Sequence, residues 1–243
     1  MWYWLLKYIF MGPLLTLLGR PKVEGLEYVP DSGAVILASN HLAVADSFYL
    51  PLVVKRRITF LAKSEYFTGT GLKGWFQRWF YTAAGQVPID RTDAGSAQAA
   101  LETASRLLNE GKLLGMYPEG TRSPDGRLYK GKTGMSRVAL RTGVKVIPVA
   151  MIGTDAVNPP GSKTWRFARV TVRFGKPMDF SRFEGLEGNR FIERAVVDEV
   201  MYELMRLSGQ EYVDLYAADV KEDAGQPGDR PTPAALIPDS AAG

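Results

Sequence analysis

Short apolar runs alternate with stretches of helical periodicity from about residue 20 to residue 207. Runs at 34–38 (AVILA), 58–62 (ITFLA), 113–117 (LLGMY), 145–151 (KVIPVAM) and 169–174 (RVTVRF) have the length and side-chain type of buried strands. Stretches at 43–54, 71–82, 95–110 and 133–142 read as helices, and another at 187–207 follows the last strand. The clearest is 95–110, where Ala97, Leu101, Ala104, Leu107 and Leu108 recur at helical spacing and Gly111 closes the segment. Strands alternating with helices predict an α/β fold, a single domain with a mostly parallel central sheet flanked by helices.

The two ends depart from this pattern. Residues 1–18, MWYWLLKYIFMGPLLTLL, form the most apolar stretch, but Lys7 lies inside it and Gly12-Pro13 interrupts it. A bilayer span needs about 20 apolar residues, so a clean crossing is not expected. A secretory leader fits poorly too, because no basic region precedes the apolar run and no small-residue cleavage site follows it. Trp2, Tyr3, Trp4 and Tyr8 are residue types that favour a bilayer interface, so residues 1–19 are expected to form an interfacial membrane helix. A helix packed on the domain's own core is the competing reading. At the other end, 217–243 is rich in Pro, Gly, Ala and Asp with little to bury, and is expected to be a disordered tail. The domain itself is then expected over 20–216.

Composition narrows the chemistry. The chain of 243 residues is 46% hydrophobic and 23% charged, enough to bury a core. It has no cysteine and a single histidine, His41, which excludes thiolate catalysis, Cys-ligated metals and sites built on two or three histidines. No metal site is expected. Net charge is +4 overall. The tail carries Lys221 and Arg230 against Asp219, Glu222, Asp223, Asp229 and Asp239, so the body holds about +7. That excess suits an anionic membrane surface or a phosphorylated substrate, and it lacks the concentrated basic footprint expected for nucleic acid.

Two motif matches fail on their physics. Gly69-Thr-Gly71-Leu-Lys-Gly74 fits a dinucleotide fingerprint, yet six residues separate its first glycine from the preceding strand, where the loop should follow directly. Gly126 to Thr133 spells a P-loop, but it begins nine residues after its strand and fills its variable positions with Arg, Leu, Tyr and Lys. No nucleophile elbow is present; Gly134-Met-Ser136-Arg-Val138 lacks the final glycine.

Candidate chemistry gathers at strand ends. The strand AVILAS runs into Asn40-His41, and four residues later comes Asp46. Open α/β sheets place ligands at such carboxyl ends. On a helix, residues five apart lie about 140° apart. His41 and Asp46 therefore meet only if the histidine sits in the loop and the aspartate projects back from the first helical turn. Asp46 would then hold one ring nitrogen and leave the other as a general base, suited to deprotonating a hydroxyl that attacks an activated acyl group. Asn40 as a helix cap with His41 merely packed beside it is the plain alternative.

A second motif, Tyr117-Pro118-Glu119-Gly120-Thr121-Arg122-Ser123, also follows a strand. Its glycine permits close backbone approach, its hydroxyls donate, and Arg122 offers a planar fork for phosphate. An ordinary loop ion pair between Glu119 and Arg122 is the alternative. A third stretch, Gly85 to Arg91, sets another arginine after a short extended run. Lys63, at the end of the second strand, is a candidate oxyanion or substrate contact. Tyr66 to Tyr81 interleaves aromatics with Lys73 and Arg78. Trp75 and Trp79 share a helical face there and, with Trp2 and Trp4, are expected to touch the membrane.

Together these blocks, with Val146-Ile147-Pro148-Val149 as a fourth, resemble the glycerolipid acyltransferase family, in particular bacterial 1-acylglycerol-3-phosphate acyltransferases. The resemblance covers roughly residues 20–180, with the blocks in the family's order. It implies His41 and Asp46 as the catalytic pair, and Arg91, Glu119, Gly120, Thr121 and Arg122 around the acceptor's phosphate. It implies transfer of a fatty acyl group from acyl-CoA or acyl carrier protein to lysophosphatidic acid, giving phosphatidic acid. No bound cofactor is needed, because a thiol leaves readily. The expected setting is the cytoplasmic membrane, peripheral or monotopic, with the site facing the cytoplasm. Another lysophospholipid, glycerol 3-phosphate or a glycolipid are alternative acceptors. A noncatalytic lipid-binding protein on the same fold is the reading from another class.

Overall fold

The computed structural model describes residues 2–89, 94–159, 162 and 164–225. Its central sheet contains β1 (Lys22–Glu24), β2 (Val35–Ser39), β3 (Ile58–Lys63), β4 (Gln86–Ile89), β5 (Leu113–Met116), β7 (Val146–Ile152) and β8 (Thr171–Phe174). A separate short pair joins β6 (Leu128–Tyr129) to β9 (Tyr212–Val213). The sheet order is β1-β8-β7-β2-β5-β3-β4, parallel throughout except where β7 meets β8.

Pleating divides the strand residues between two cores. Ile36, Ala38, Leu114 and Val146 face α5 (Ala94–Asn109), α6 (Gly134–Thr142) and α8 (Arg190–Ser208). Val35, Leu37, Leu113 and Ile147 face α2 (Gly12–Gly19) and α3 (Asp46–Val53). Helices on both sides explain why every residue of β2 is buried and why its run is apolar without alternation. Each such aliphatic side chain contributes about 1.5–3 kcal/mol relative to exposure. The five strands and five helices expected from the pattern are present with ends shifted by up to three residues.

The N-terminal segment packs on the domain's core by one face and leaves large apolar side chains exposed on the other. It runs as α1 (Trp2–Leu5), a π-helical turn over Leu6–Met11, and α2, so Gly12-Pro13 does not break the helical path. Tyr3, Lys7 and Leu15 turn inward; the Tyr49 hydroxyl donates to the Leu15 carbonyl at 3.0 Å, and the Lys7 ammonium donates to the Val54 carbonyl. Trp2, Ile9, Phe10, Leu14 and Leu17 remain on the outside, each more than half exposed. Among the described residues no helix is long and apolar enough to cross a membrane.

At the other end the chain departs from expectation. A helix, α9 (Ala217–Gly225), occupies the start of the stretch whose composition predicts disorder, with Ala217 fully buried; residues 226–243 lie outside the described residues.

Strand order creates the site. From β2 the chain passes through α3 to β3, and it returns to insert β5 between them. From β5 it continues through α6 to β7, on the other side of β2. The carboxyl ends of β2 and β5 thus lie side by side where the winding changes direction, and a crevice opens there.

Candidate active site

Asn40 is the anchor of the β2–α3 loop. Its side chain, fully buried, accepts from Met151 N at 2.7 Å and donates to Met151 O at 3.0 Å, so it extends the ladder to β7 after the β2 backbone has left it. It does not cap α3. Losing this pairing would leave buried backbone groups unsatisfied, at about 1–3 kcal/mol each.

With Asn40 fixed, His41 begins the turn and Asp46 opens α3. Asp46 Oδ2 lies 2.8 Å from His41 Nδ1 and accepts from Leu42 N at 2.7 Å and Ala43 N at 2.8 Å. The aspartate thus shapes the turn that brings the histidine back to it, which is how residues five apart meet. Asp46 is fully buried, and its Oδ1 has no hydrogen-bond partner among the described residues. The His41 ring is partly exposed (15%) and lies flat against Tyr117, with centroids 3.9 Å apart and planes 12° apart. Tyr117 stacks in turn on Phe60, and its hydroxyl meets Ser47 Oγ at 3.0 Å. Burial, with the charge of Asp46 adding to it, pushes the Tyr117 phenol up, so its hydroxyl stays neutral.

The loop after β5 is stitched to the histidine. His41 N donates to Glu119 Oε1 at 3.0 Å, and Ser123 N donates to His41 O at 2.7 Å. Glu119 Oε2 accepts from Tyr129 N at 2.9 Å. Glu119 is 1% exposed, and burial pushes its carboxyl up to about 7 against the lowering effect of those N–H groups. The loop ion pair with Arg122, the alternative offered by the sequence, is therefore not formed, and Glu119 is not among the residues that line the site's cavity. A carboxylate with both oxygens spent on backbone donors braces the loop from below.

Above it, Gly120 turns the chain at φ +74°, a conformation that favours glycine. Gly120, Thr121 and Arg122 all line one large cavity of about 1050 Å³, as does His41. Arg122 is exposed, and its guanidinium has no ion-pair partner among the described residues. The same cavity is lined by Lys132 and Arg137 on its cationic part and by apolar side chains such as Leu15, Leu52 and Phe80. One space therefore joins the His41–Asp46 pair, a group of cations and an apolar wall.

Two expected contacts are not among what the structure describes. Arg91 lies outside the described residues. Lys63 ends β3, whose neighbour is β5, and its side chain is likewise not described. Of the tryptophans, Trp2 and Trp75 are more than half exposed and Trp4 is 39% exposed. Trp79 packs edge-on against Trp2, with centroids 5.4 Å apart, and so joins α4 (Gly71–Ala83) to α1.

Comparison with known proteins gives the family. A family model described as Acyltransferase matches residues 20–152, more than half of the chain. The chain belongs to the acyltransferase family. The 1-acyl-sn-glycerol-3-phosphate acyltransferase LPAT1, chloroplastic, of Arabidopsis thaliana is 34% identical over 167 residues, 68% of this chain and 45% of that protein. A protein of the same activity name from Borreliella burgdorferi is 30% identical over 133 residues, 55% of this chain and 51% of that one. The chain spans about half the length of these curated relatives. The crystal structure of the 1-acyl-sn-glycerophosphate (LPA) acyltransferase PlsC from Thermotoga maritima superposes with a TM-score of 0.60 and 26% identity, covering 90% of this chain and 79% of that one.

In this acyltransferase-family chain, several site residues escape sequence reasoning. Tyr117, quoted above only as the start of its motif, stacks on the histidine just after β5, and Ser47 of α3 holds the Tyr117 hydroxyl; no signal in the sequence gave either of them that role. Lys132 and Arg137 belong to the false P-loop and the helix behind it. The stretch does not wrap a phosphate as a P-loop would, because Leu128 and Tyr129 are extended, buried and paired with β9. Its end nevertheless contributes Lys132 to the cavity.

Proposed function

We propose that the chain transfers a fatty acyl group from an acyl thioester, acyl-CoA or acyl carrier protein, to the free hydroxyl of 1-acylglycerol 3-phosphate, forming phosphatidic acid. One observation carries this reading: the His41–Asp46 pair opens onto a cavity whose lining is both apolar and cationic. In this reaction Asp46 accepts a hydrogen bond from the Nδ1–H of His41 and so fixes the tautomer. The free Nε2 takes the proton of the acceptor hydroxyl as that oxygen attacks the thioester carbonyl. The tetrahedral intermediate collapses, the C–S bond breaks, and the proton held by His41 passes to the departing sulfur. No covalent enzyme intermediate forms and no metal is required. Arg122, with Thr121, Gly120 and Lys132, holds the acceptor's phosphate, and Arg91, two residues beyond the end of β4 in the sequence, is the further candidate for it. Lys63 is the candidate oxyanion donor, at the carboxyl end of a strand next to β5.

The setting we infer is the cytoplasmic membrane, peripheral or monotopic. It is supported by the apolar outer faces of α1, α2 and α4 and by the basic body, which suits anionic phospholipid. Thiol release from palmitoyl-CoA, measured with lysophosphatidic acid, glycerol 3-phosphate, lysophosphatidylcholine and no acceptor, tests the reading. Release with lysophosphatidic acid well above the others is expected. Equal release with and without acceptor would contradict transfer, and no release with any acceptor would favour a noncatalytic lipid binder.

A further inference from the structure

The chain beyond the segment matched by the family model returns to the active site. After α8, Gly209 reverses the chain at φ +73°, and Gln210 enters the site from behind. Gln210 Oε1 accepts from Asn40 Nδ2 at 2.7 Å, and Gln210 Nε2 donates to Gly126 O at 2.6 Å. It therefore ties the residue that anchors His41 to the end of the Arg122 loop. Next, β9 pairs with β6, and Lys130 meets Asp214 at 2.8 Å. Finally α9 brings Lys221 to the top of the loop, where its ammonium donates to Thr121 Oγ1 at 3.0 Å and to the Arg122 carbonyl.

Burial and the nearby charge of Arg122 lower the Lys221 pKa, and the charge of Glu119 works against them. Lys221 is not among the residues that line the cavity, so it acts through Thr121 and Arg122. Those two residues lie just beyond Gly120 and line the cavity, with Arg122 exposed. A loop of that kind loses freedom when it closes on a ligand, and fixing it beforehand lowers the cost of binding.

We propose that the segment from Gly209 to Lys221 is a clasp that preorganises the acceptor-phosphate loop, with Lys221 as its positioning residue. This rests on the reading of that loop as the acceptor's phosphate site. Lys221→Met is expected to raise the KM for lysophosphatidic acid about tenfold while kcat and the KM for the acyl thioester stay within about twofold. Lys221→Arg, which keeps donors at the same place, is expected to restore most of the affinity. The melting temperature of both variants is expected to match the unmodified protein. An unchanged acceptor KM in Lys221→Met would overturn the proposal. So would a parallel rise in both KM values, or a fall in melting temperature that accounts for the loss. Absence of turnover with lysophosphatidic acid in the unmodified enzyme would instead remove the acceptor reading itself, and the clasp's role with it.

Discussion

At the scale of single residues, two neighbours in sequence divide the work of the site. Arg122 faces the cavity with no ion-pair partner among the described residues, whereas Glu119 lies beneath it with both oxygens engaged. Arg122→Ala should raise the KM for a phosphorylated acceptor about tenfold or more with little change in kcat, because a planar charge-assisted pair is lost from binding. Steady-state kinetics over acceptor concentration reads this directly. Glu119 makes a different prediction. Its carboxyl is pushed from 4.5 to about 7 in the fold, so the folded state keeps a proton that the unfolded chain releases. Stability is then greatest below about pH 4.5 and falls as pH rises to about 7, by on the order of 3 kcal/mol at most. Glu119→Gln should flatten that slope, which urea midpoints at about pH 5 and about pH 8 would reveal. The His41–Asp46 pair was legible because the motif blocks together resemble the acyltransferase family; its spacing alone left open Asn40 as a helix cap with His41 packed beside it. The role of Glu119 was not legible, since its two donors come from residues 41 and 129, far along the chain.

At the scale of elements, the N-terminal segment and α4 share an unusual surface. Leu72, Trp75 and Phe76 of α4 are 89%, 57% and 57% exposed, and Trp79 packs on Trp2 of α1. Large apolar groups gathered on one face usually mark an interaction site, and here the bilayer is the partner we infer. Replacing Trp75 and Phe76 together by serine should weaken sedimentation with phosphatidylglycerol vesicles about tenfold or more without lowering the melting temperature. Unaltered sedimentation would contradict membrane contact by α4. Deleting residues 1–19 is a poorer test, because Tyr3, Lys7 and Leu15 belong to the fold. Lys7 explains part of what sequence could not settle. Read along the chain it looks like a charge spoiling an apolar helix, whereas it is turned inward to cap the Val54 carbonyl, and burial lowers it to about 8. The long helices and central strands were readable from periodicity. Strands β1, β6 and β9 have two or three residues each, too few to carry a period, and they exist because a partner strand is present.

At the scale of the whole molecule, the α/β class followed from alternation of elements, but the order of the strands did not. Pairing β2 with β5 joins residues 35–38 to 113–116, and no local pattern encodes that contact. Yet this pairing brings His41 beside Tyr117 and Glu119 and sets the crevice between them. The C-terminal stretch was obscured for a similar reason. From residue 217 its composition is that of a solvated tail, while Lys221 is held by a loop far upstream. What unites the scales is the claim that His41, held by Asp46, removes the acceptor's proton. The most direct test compares phosphatidic acid formation from palmitoyl-CoA and lysophosphatidic acid by the unmodified protein and by His41→Ala, with mass-spectrometric detection of product. The account predicts a loss of about 10²–10⁴-fold in kcat with an unchanged melting temperature. Product formation by His41→Ala at the unmodified rate would contradict it.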